Sequence, residues 1–171
     1  MSDIRIAGIV RESIVDGDGI RFVVFVQGCP HHCEGCHNPQ THDFEGGSIV
    51  STDKILNEFR KNPLLAGITF SGGEPFCQAQ PLAELAEEVV KCGKNVWVYS
   101  GYTFEQLFEM SQHDNNILKL LNIADVLIDG RFMLEQKSLL LRFRGSKNQR
   151  MIDLKKTMPI YTSDKKVILI D

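Results

Sequence analysis

Nothing in this 171-residue chain is long and apolar enough to be read as a membrane span, because no run approaches about 18 apolar residues. The opening stretch, MSDIRIAGIVRES, has no apolar signal core and no small-residue cleavage site. A cytoplasmic protein is therefore expected, in a compartment where thiols stay reduced. The five cysteines are an odd number, which does not suit a closed disulfide framework. Internal repeats, low-complexity tracts and long linkers are absent. The length fits one domain, 1–171, that can bury a core of its own; its organised part is expected over about 4–155, with a tail at 156–171. Aromatic residues are few, 8% of the chain. Few of them are interleaved with the basic residues of the last quarter as base stacking would require, so no nucleic-acid partner is expected.

Charge of one sign is scarce in each part of the chain. Residues 1–130 carry 9 Lys and Arg against 18 Asp and Glu, whereas residues 131–171 carry 10 against 4. The basic last quarter reads either as a solvated face or as a docking surface for an acidic partner.

Periodicity supplies the elements. Residues 4–10 (IRIAGIV) and 20–27 (IRFVVFVQ) read as strands, the second apolar enough to be buried on both faces. The glycine-rich VDGDG between them is a turn. Residues 52–62 read as a helix with Ile55, Leu56 and Phe59 on one face and Pro63 as its stop. A strand at 66–70 is followed by a helix at 79–92, with Leu82, Leu85, Ala86, Val89 and Val90 at helical spacing and Gly93 as terminator. A strand at 95–99 leads to Thr103 and Gln106, the ends of a capping box. Helical spacing returns near 115–122, and a strand at 124–128 ends at Asp129. SLLLRF at 138–143 and KKVILI at 165–170 read as further strands. Repeated βα units imply an α/β protein with a mostly parallel sheet. A closed (βα)8 barrel needs roughly 200 residues or more, so a partial, open TIM-like barrel is expected, with a doubly wound open sheet as the alternative.

The chemistry-bearing stretches GCPHHCEGCHNP (28–39), SGGEP (71–75), SGY (100–102) and DGR (129–131) each follow a strand. Loops at that end of the strands build the active face of βα architectures. The densest has the spacing Cys29-x3-Cys33-x2-Cys36, with Gly28, Pro30 and Gly35 suited to a tight turn. Zinc normally takes a fourth protein ligand. His37 follows Cys36 directly and adjacent residues rarely reach one metal, while His31 and His32 read as loop residues. Cys92 reads as a buried helix residue, and Cys77 follows close after the glycine motif. Three thiolates suit a 4Fe-4S cluster, which ordinarily takes four, with one iron left open. The spacing favours that over zinc.

Cys-x3-Cys-x2-Cys after an early strand resembles the radical S-adenosylmethionine superfamily, and Ser71-Gly72-Gly73-Glu74-Pro75 resembles its second motif. The resemblance implies that Cys29, Cys33 and Cys36 hold a redox-active 4Fe-4S cluster. S-adenosylmethionine would bind the open iron and split into methionine and a hydrogen-abstracting 5′-deoxyadenosyl radical. It also implies that Gly72 and Gly73 let backbone approach the cofactor, with backbone carbonyls or the Glu74 carboxylate accepting from its ammonium. Many members carry a bulky residue before the third cysteine. Gly35 stands there instead, which leaves adenine to the backbone of Gly35, Cys36 and His37. Tyr99, Ser100 and Gly101 would line the ribose or methionine end. Asp129 and Arg131 are further candidates, a helix or turn cap being the other reading of Asp129. Asn38 is either a polar group near the cluster or an Asx turn before Pro39.

VDGDGIR at 15–21 resembles an element of the activating enzymes of glycyl radical enzymes. GCPHHCEGCHNP, ADVLIDGRF and RFRGSKNQR resemble the branch that activates anaerobic ribonucleoside-triphosphate reductase. That implies an oxidoreductase taking hydrogen from a glycine on a loop of the large reductase subunit, fed electrons by a flavodoxin or ferredoxin. Arg142, Arg144, Asn148, Gln149 and Arg150 would meet that loop or a carboxylate, or form a plain basic strand. Arg21 reads as a loop anchor, and Asp16 and Asp18 as substrate-positioning groups or turn caps. The competing assignments are activation of another glycyl radical enzyme, such as pyruvate formate-lyase, and a zinc-binding interaction module.

Overall fold

A computed structural model describes residues 2–170. In chain order its main elements are β1 (Asp3–Ser13), β2 (Arg21–Val26), β3 (Ser48–Ser51), α1 (Thr52–Arg60), β4 (Gly67–Gly72), α2 (Ala79–Lys91), β5 (Asn95–Tyr99), α3 (Phe104–Ser111), α4 (Asn115–Ile123), β6 (Val126–Asp129), β7 (Arg150–Asp153) and α5 (Leu154–Asp164). The seven strands form one sheet in the order β3-β1-β2-β4-β5-β6-β7. β2, β4, β5 and β6 are parallel neighbours. β1 and β3 extend the sheet antiparallel on one side and β7 does so on the other.

The parallel strands follow one another in sequence order. Each right-handed crossover therefore steps in the same direction and leaves its helix on the same face. The strand order never reverses, so the doubly wound alternative is not the one adopted. β3 and β7 remain edges, and the partial barrel expected from the sequence stands as an open mixed sheet.

Strand alternation sorts the residues between the two faces. Phe22, Val24, Val26, Ile68, Phe70, Val96, Val98, Leu127 and Ile152 enter one large core with Leu82, Leu85, Phe104, Leu107 and Leu120 of the helices. On the opposite face Trp97, Val126, Ile128 and Met151 form a smaller cluster that Phe143 and Ile170 cover. Arg21 is also buried here, at the start of β2. Its guanidinium donates to Thr69 Oγ1 (2.7 Å), the Asp18 carbonyl (2.9 Å) and the Ile68 carbonyl (2.9 Å), and lies 5.2 Å from the Trp97 ring centre. Burial pulls its pKa down to about 10, which leaves it charged near neutral pH. It anchors the 14–18 loop, the role expected of it.

Local signals account for the helix ends. Ser51 accepts from Asp53 N to cap α1, and the Thr103–Gln106 capping box is present on α3. Three sequence expectations change. Residues 138–143 are not a strand but an excursion: only a Lys137–Ser146 bridge joins its base, so the apolar run pairs with no neighbouring strand. Residues 165–170 make an isolated bridge, Ile152 to Leu169, rather than a strand. Cys92 is exposed at the C-cap of α2, not buried. The sequence reading also passed over β3, β7 and α5. The two strands are only four residues long, and α5 carries Pro159, a helix breaker by local rules. Tertiary packing sustains α5, because Leu154 and Tyr161 enter the helical core.

Candidate functional site

The helix-free face opens at the C-terminal ends of the parallel strands into a cavity of about 780 Å3. The loops after β2, β4, β5 and β6 all reach it, through Cys29, Cys33, Cys36 and His37; Ser71, Gly72 and Gly73; Tyr99, Ser100 and Gly101; and Gly130.

The cysteine loop starts at Gly28, where the backbone takes φ 101° and a Cβ would come within 2.5 Å of Phe44. The loop is held from outside. Gly28 N donates to the Thr41 carbonyl (2.7 Å), and Glu74 N donates to the Gly28 carbonyl (2.9 Å). Cys29 is buried, Cys33 and Cys36 are half-buried, and all three are free. Burial pushes the Cys29 and Cys33 thiols up, so iron would displace their protons on binding.

Three observations fit an iron–sulfur group held by these thiols. They surround one cavity. Asn38 N points at Cys36 Sγ (3.4 Å), a contact of the kind that tunes cluster potentials. His42 Nε2 and Arg144 Nε, on residues that line the cavity, are buried without a partner. Among the described residues no three His, Cys, Asp or Glu side chains are gathered tightly enough to hold a single metal ion. His37, the fourth ligand in a zinc reading, instead leans on Phe132 at 4.9 Å.

Glu74 is fully buried and is absent from the cavity wall. Its carboxylate accepts from His31 Nε2 (2.7 Å), Ser100 Oγ (2.9 Å), Gly101 N (2.8 Å) and Phe76 N (3.0 Å). It therefore ties together the loops after β2, β4 and β5. His31, expected to be a loop residue, is the cysteine loop's member of this network. Its ring stands edge-on to Tyr102 at 4.5 Å and leaves no room for a Cβ on Gly101. The Gly72-Gly73 pair also has a structural reason: a Cβ on Gly73 would lie 2.4 Å from the Gly28 carbonyl oxygen. Only glycine lets the two loops lie backbone to backbone.

Asp129 is buried outside the cavity wall. It accepts from Phe104 N at the start of α3 (2.7 Å) and from Arg150 Nη2 (2.5 Å), so its carboxylate does the work of a cap. Arg150 also reaches Glu105 (2.6 Å), and the two carboxylates hold its guanidinium well above the usual range. Gly35 lies behind the wall with φ 73°, where a Cβ would come within 2.9 Å of Leu134. Cys77 is exposed and outside the cavity, its thiol pushed up to about 11 by partial burial and the nearby Glu74 charge. Asp16 lines the cavity, and Asp18 pairs with Arg142. Gln149 and Asn148 fold the 131–149 segment onto itself: Gln149 Oε1 accepts from Gly145 N (2.8 Å), and Asn148 Nδ2 donates to the Arg131 carbonyl (2.7 Å). The sequence reading missed Phe132, Leu141 and Phe143 as wall residues. Leu141 and Phe143 read only as part of the 138–143 strand, and Phe132 only as part of ADVLIDGRF.

A family model described as a 4Fe-4S single cluster domain matches residues 15–152. The chain is 34% identical over 144 residues to the anaerobic ribonucleoside-triphosphate reductase-activating protein of Haemophilus influenzae, covering 80% of this chain and 89% of the relative. It is 32% identical over 144 residues to the protein of that description in Escherichia coli K12, covering 80% and 90%. The chain belongs to this family. Its bacteriophage T4 member is 35% identical over 146 residues, covering 80% of this chain and 86% of the phage protein. The family match takes in all four loops that meet at the cavity.

Proposed function

We propose that the protein is a radical S-adenosylmethionine activase of anaerobic ribonucleoside-triphosphate reductase, working in the cytoplasm, and that its open sheet is a partial (βα) barrel of the radical S-adenosylmethionine type. The observation that carries the reading is the meeting of the three-cysteine loop with the glycine-pair and SGY loops on one cavity, at one end of four parallel strands. When bound, the cluster supplies one electron, drawn from a flavodoxin or ferredoxin, that breaks the carbon–sulfur bond of S-adenosylmethionine to give methionine and a 5′-deoxyadenosyl radical. A glycine Cα of the reductase, brought to the cavity, would be the hydrogen donor and would be left as a glycyl radical.

The chain's own residues do the positioning. Cys29, Cys33 and Cys36 would hold the cluster through three thiolates, one fewer than it ordinarily takes. Glu74 is engaged by four donors of its own chain, so backbone carbonyls of the 71–73 loop receive the cofactor ammonium while Glu74 holds that loop in register. Gly72, Gly73 and Ser100 form its bed. His37, backed by Phe132, and the backbone of Cys36 would meet adenine, and Gly35 shapes that turn from behind. Asp129 acts indirectly, by fixing the β6 loop on α3. The docked reductase would close the open mouth and keep water from the radical.

Anaerobic reconstitution with iron and sulfide tests the reading. Wild-type protein is expected to bind about four iron per chain and to form 5′-deoxyadenosine when reduced. Cys33→Ala, left with two thiolates, is expected to form none. A colourless protein that takes up one zinc instead overturns the proposal. Electron paramagnetic resonance then decides the target: a glycyl radical on the reductase supports it, and one formed only on pyruvate formate-lyase replaces it.

A further inference from the structure

Among the described residues five large aliphatic side chains are at least 70% exposed: Ile14 (73%), Val15 (70%), Leu64 (78%), Leu139 (90%) and Leu140 (96%). Leu64 stands alone between α1 and β4. The other four share one place. Ile14, Val15 and Leu139 line the cavity, and Leu140 follows at the tip of the 136–147 excursion, outside the wall. Single exposed apolar residues are ordinary, but a group of them marks an interaction site.

The excursion is a fastened strap. Ser138 N donates to the Gly145 carbonyl (3.2 Å), and Lys147 N to the Gln136 carbonyl (3.0 Å), closing its base. The Phe143 ring meets Trp97 edge-on at 5.4 Å, and its carbonyl accepts from the Tyr99 hydroxyl at 2.7 Å. Arg142 pairs with Asp18, linking the strap to the loop that carries Ile14 and Val15. Leucines held out on such a strap lose little ordering entropy when covered.

The nearby guanidinium groups already have partners in the chain. Arg142 has Asp18, Arg144 Nη1 has the Gln149 carbonyl (3.0 Å), and Arg150 has Asp129 and Glu105. Lys137 also lines the cavity, beside the exposed aliphatic side chains of Ile14, Val15 and Leu139. A cofactor enclosed in the cavity has no need of Leu140, which lies outside it. A second copy of the chain seated there would cover the mouth through which the reaction's substrate must pass.

We propose that Leu139 and Leu140, with Ile14 and Val15 opposite, form the docking surface for the glycine-bearing reductase, which presents an extended backbone segment flanked by apolar side chains. This rests on the proposed function and sets an apolar docking face against the basic one that composition offered as one of two readings.

Leu140→Glu is the clean probe, being fully outside the cavity wall, and Leu64→Glu is its control. The first readout is calorimetric binding of the cluster-free protein to the intact anaerobic reductase. Leu140→Glu is expected to weaken binding about tenfold or more, with Leu64→Glu unchanged. In the reconstituted protein, 5′-deoxyadenosine formation without the reductase should remain at the wild-type rate. Wild-type affinity in Leu140→Glu overturns the inference, as does a parallel loss of uncoupled cleavage. So does a dimer in wild type that becomes a monomer in the variant by sedimentation. Wild-type protein that neither binds the reductase nor cleaves S-adenosylmethionine overturns the proposed function and the inference together, whereas the other failures overturn the inference alone.

Discussion

A buried carboxylate is stable only when its oxygens are satisfied, and for Glu74 one of the satisfying donors is a histidine of the cysteine loop, His31. His31→Phe keeps a ring against Tyr102 and Gly101 but removes the donor. Leaving one buried acceptor short is expected to cost about 1–3 kcal/mol, read by urea unfolding of the cluster-free protein. His31→Gln places an amide N–H near the position of Nε2 and is expected to recover most of the loss. If the Phe variant is as stable as wild type, the hydrogen bond between the two loops contributes nothing. The same logic applies to Arg21, whose three short bonds join the 14–18 loop to β4. Arg21→Met strands two carbonyls and a hydroxyl and is expected to cost about 2 kcal/mol or more in the same assay. A neutral result would mean that removing a buried charge offsets those losses.

Among the elements, the parallel strands and the helices α1 to α4 were legible because their apolar spacing, caps and stops agree with one another. Ile55, Leu56 and Phe59 share the buried face of α1, and Thr103 and Gln106 cap α3 as their spacing required. The element-scale misreadings have one cause. Leu139, Leu140 and Leu141 carry the composition of a strand, but no neighbour offers hydrogen bonds along them. α5 carries a proline, but Tyr161 packs against Phe104 at 4.8 Å and Phe108 at 4.7 Å. Tyr161→Ala is therefore expected to destabilise the fold by about 3 kcal/mol, measured by chemical denaturation. A loss below about 1 kcal/mol would make α5 an appendage instead of part of the core.

For the whole molecule, single winding puts the helices on one side and leaves the other side of the sheet to loops. The helix side is a continuous core, and the loop side contains the cavity. Hydrogen exchange should follow this division, with amides of β4 and β5 the most protected and those of 137–145 and 14–20 among the least. Binding of the reductase is expected to slow exchange in those two loops together and to leave α1 and α2 unchanged. Protection on the helical face instead would place the partner on the wrong side of the sheet.

The sequence by itself determined the three-thiol donor set, the glycine pair and the order of βα units. Ligand chemistry, backbone freedom and side-chain periodicity are local properties that neighbouring residues reveal. Only the tertiary structure decided where Glu74 and Asp129 direct their carboxylates, because all their donors except Phe76 N come from residues 21 to 43 positions away. It also decided that His31 turns inward and that Arg142, Arg144 and Arg150 of the basic segment are engaged within the chain. It left Leu139 and Leu140 in the open because the sheet has no further edge beside them to bury an apolar run.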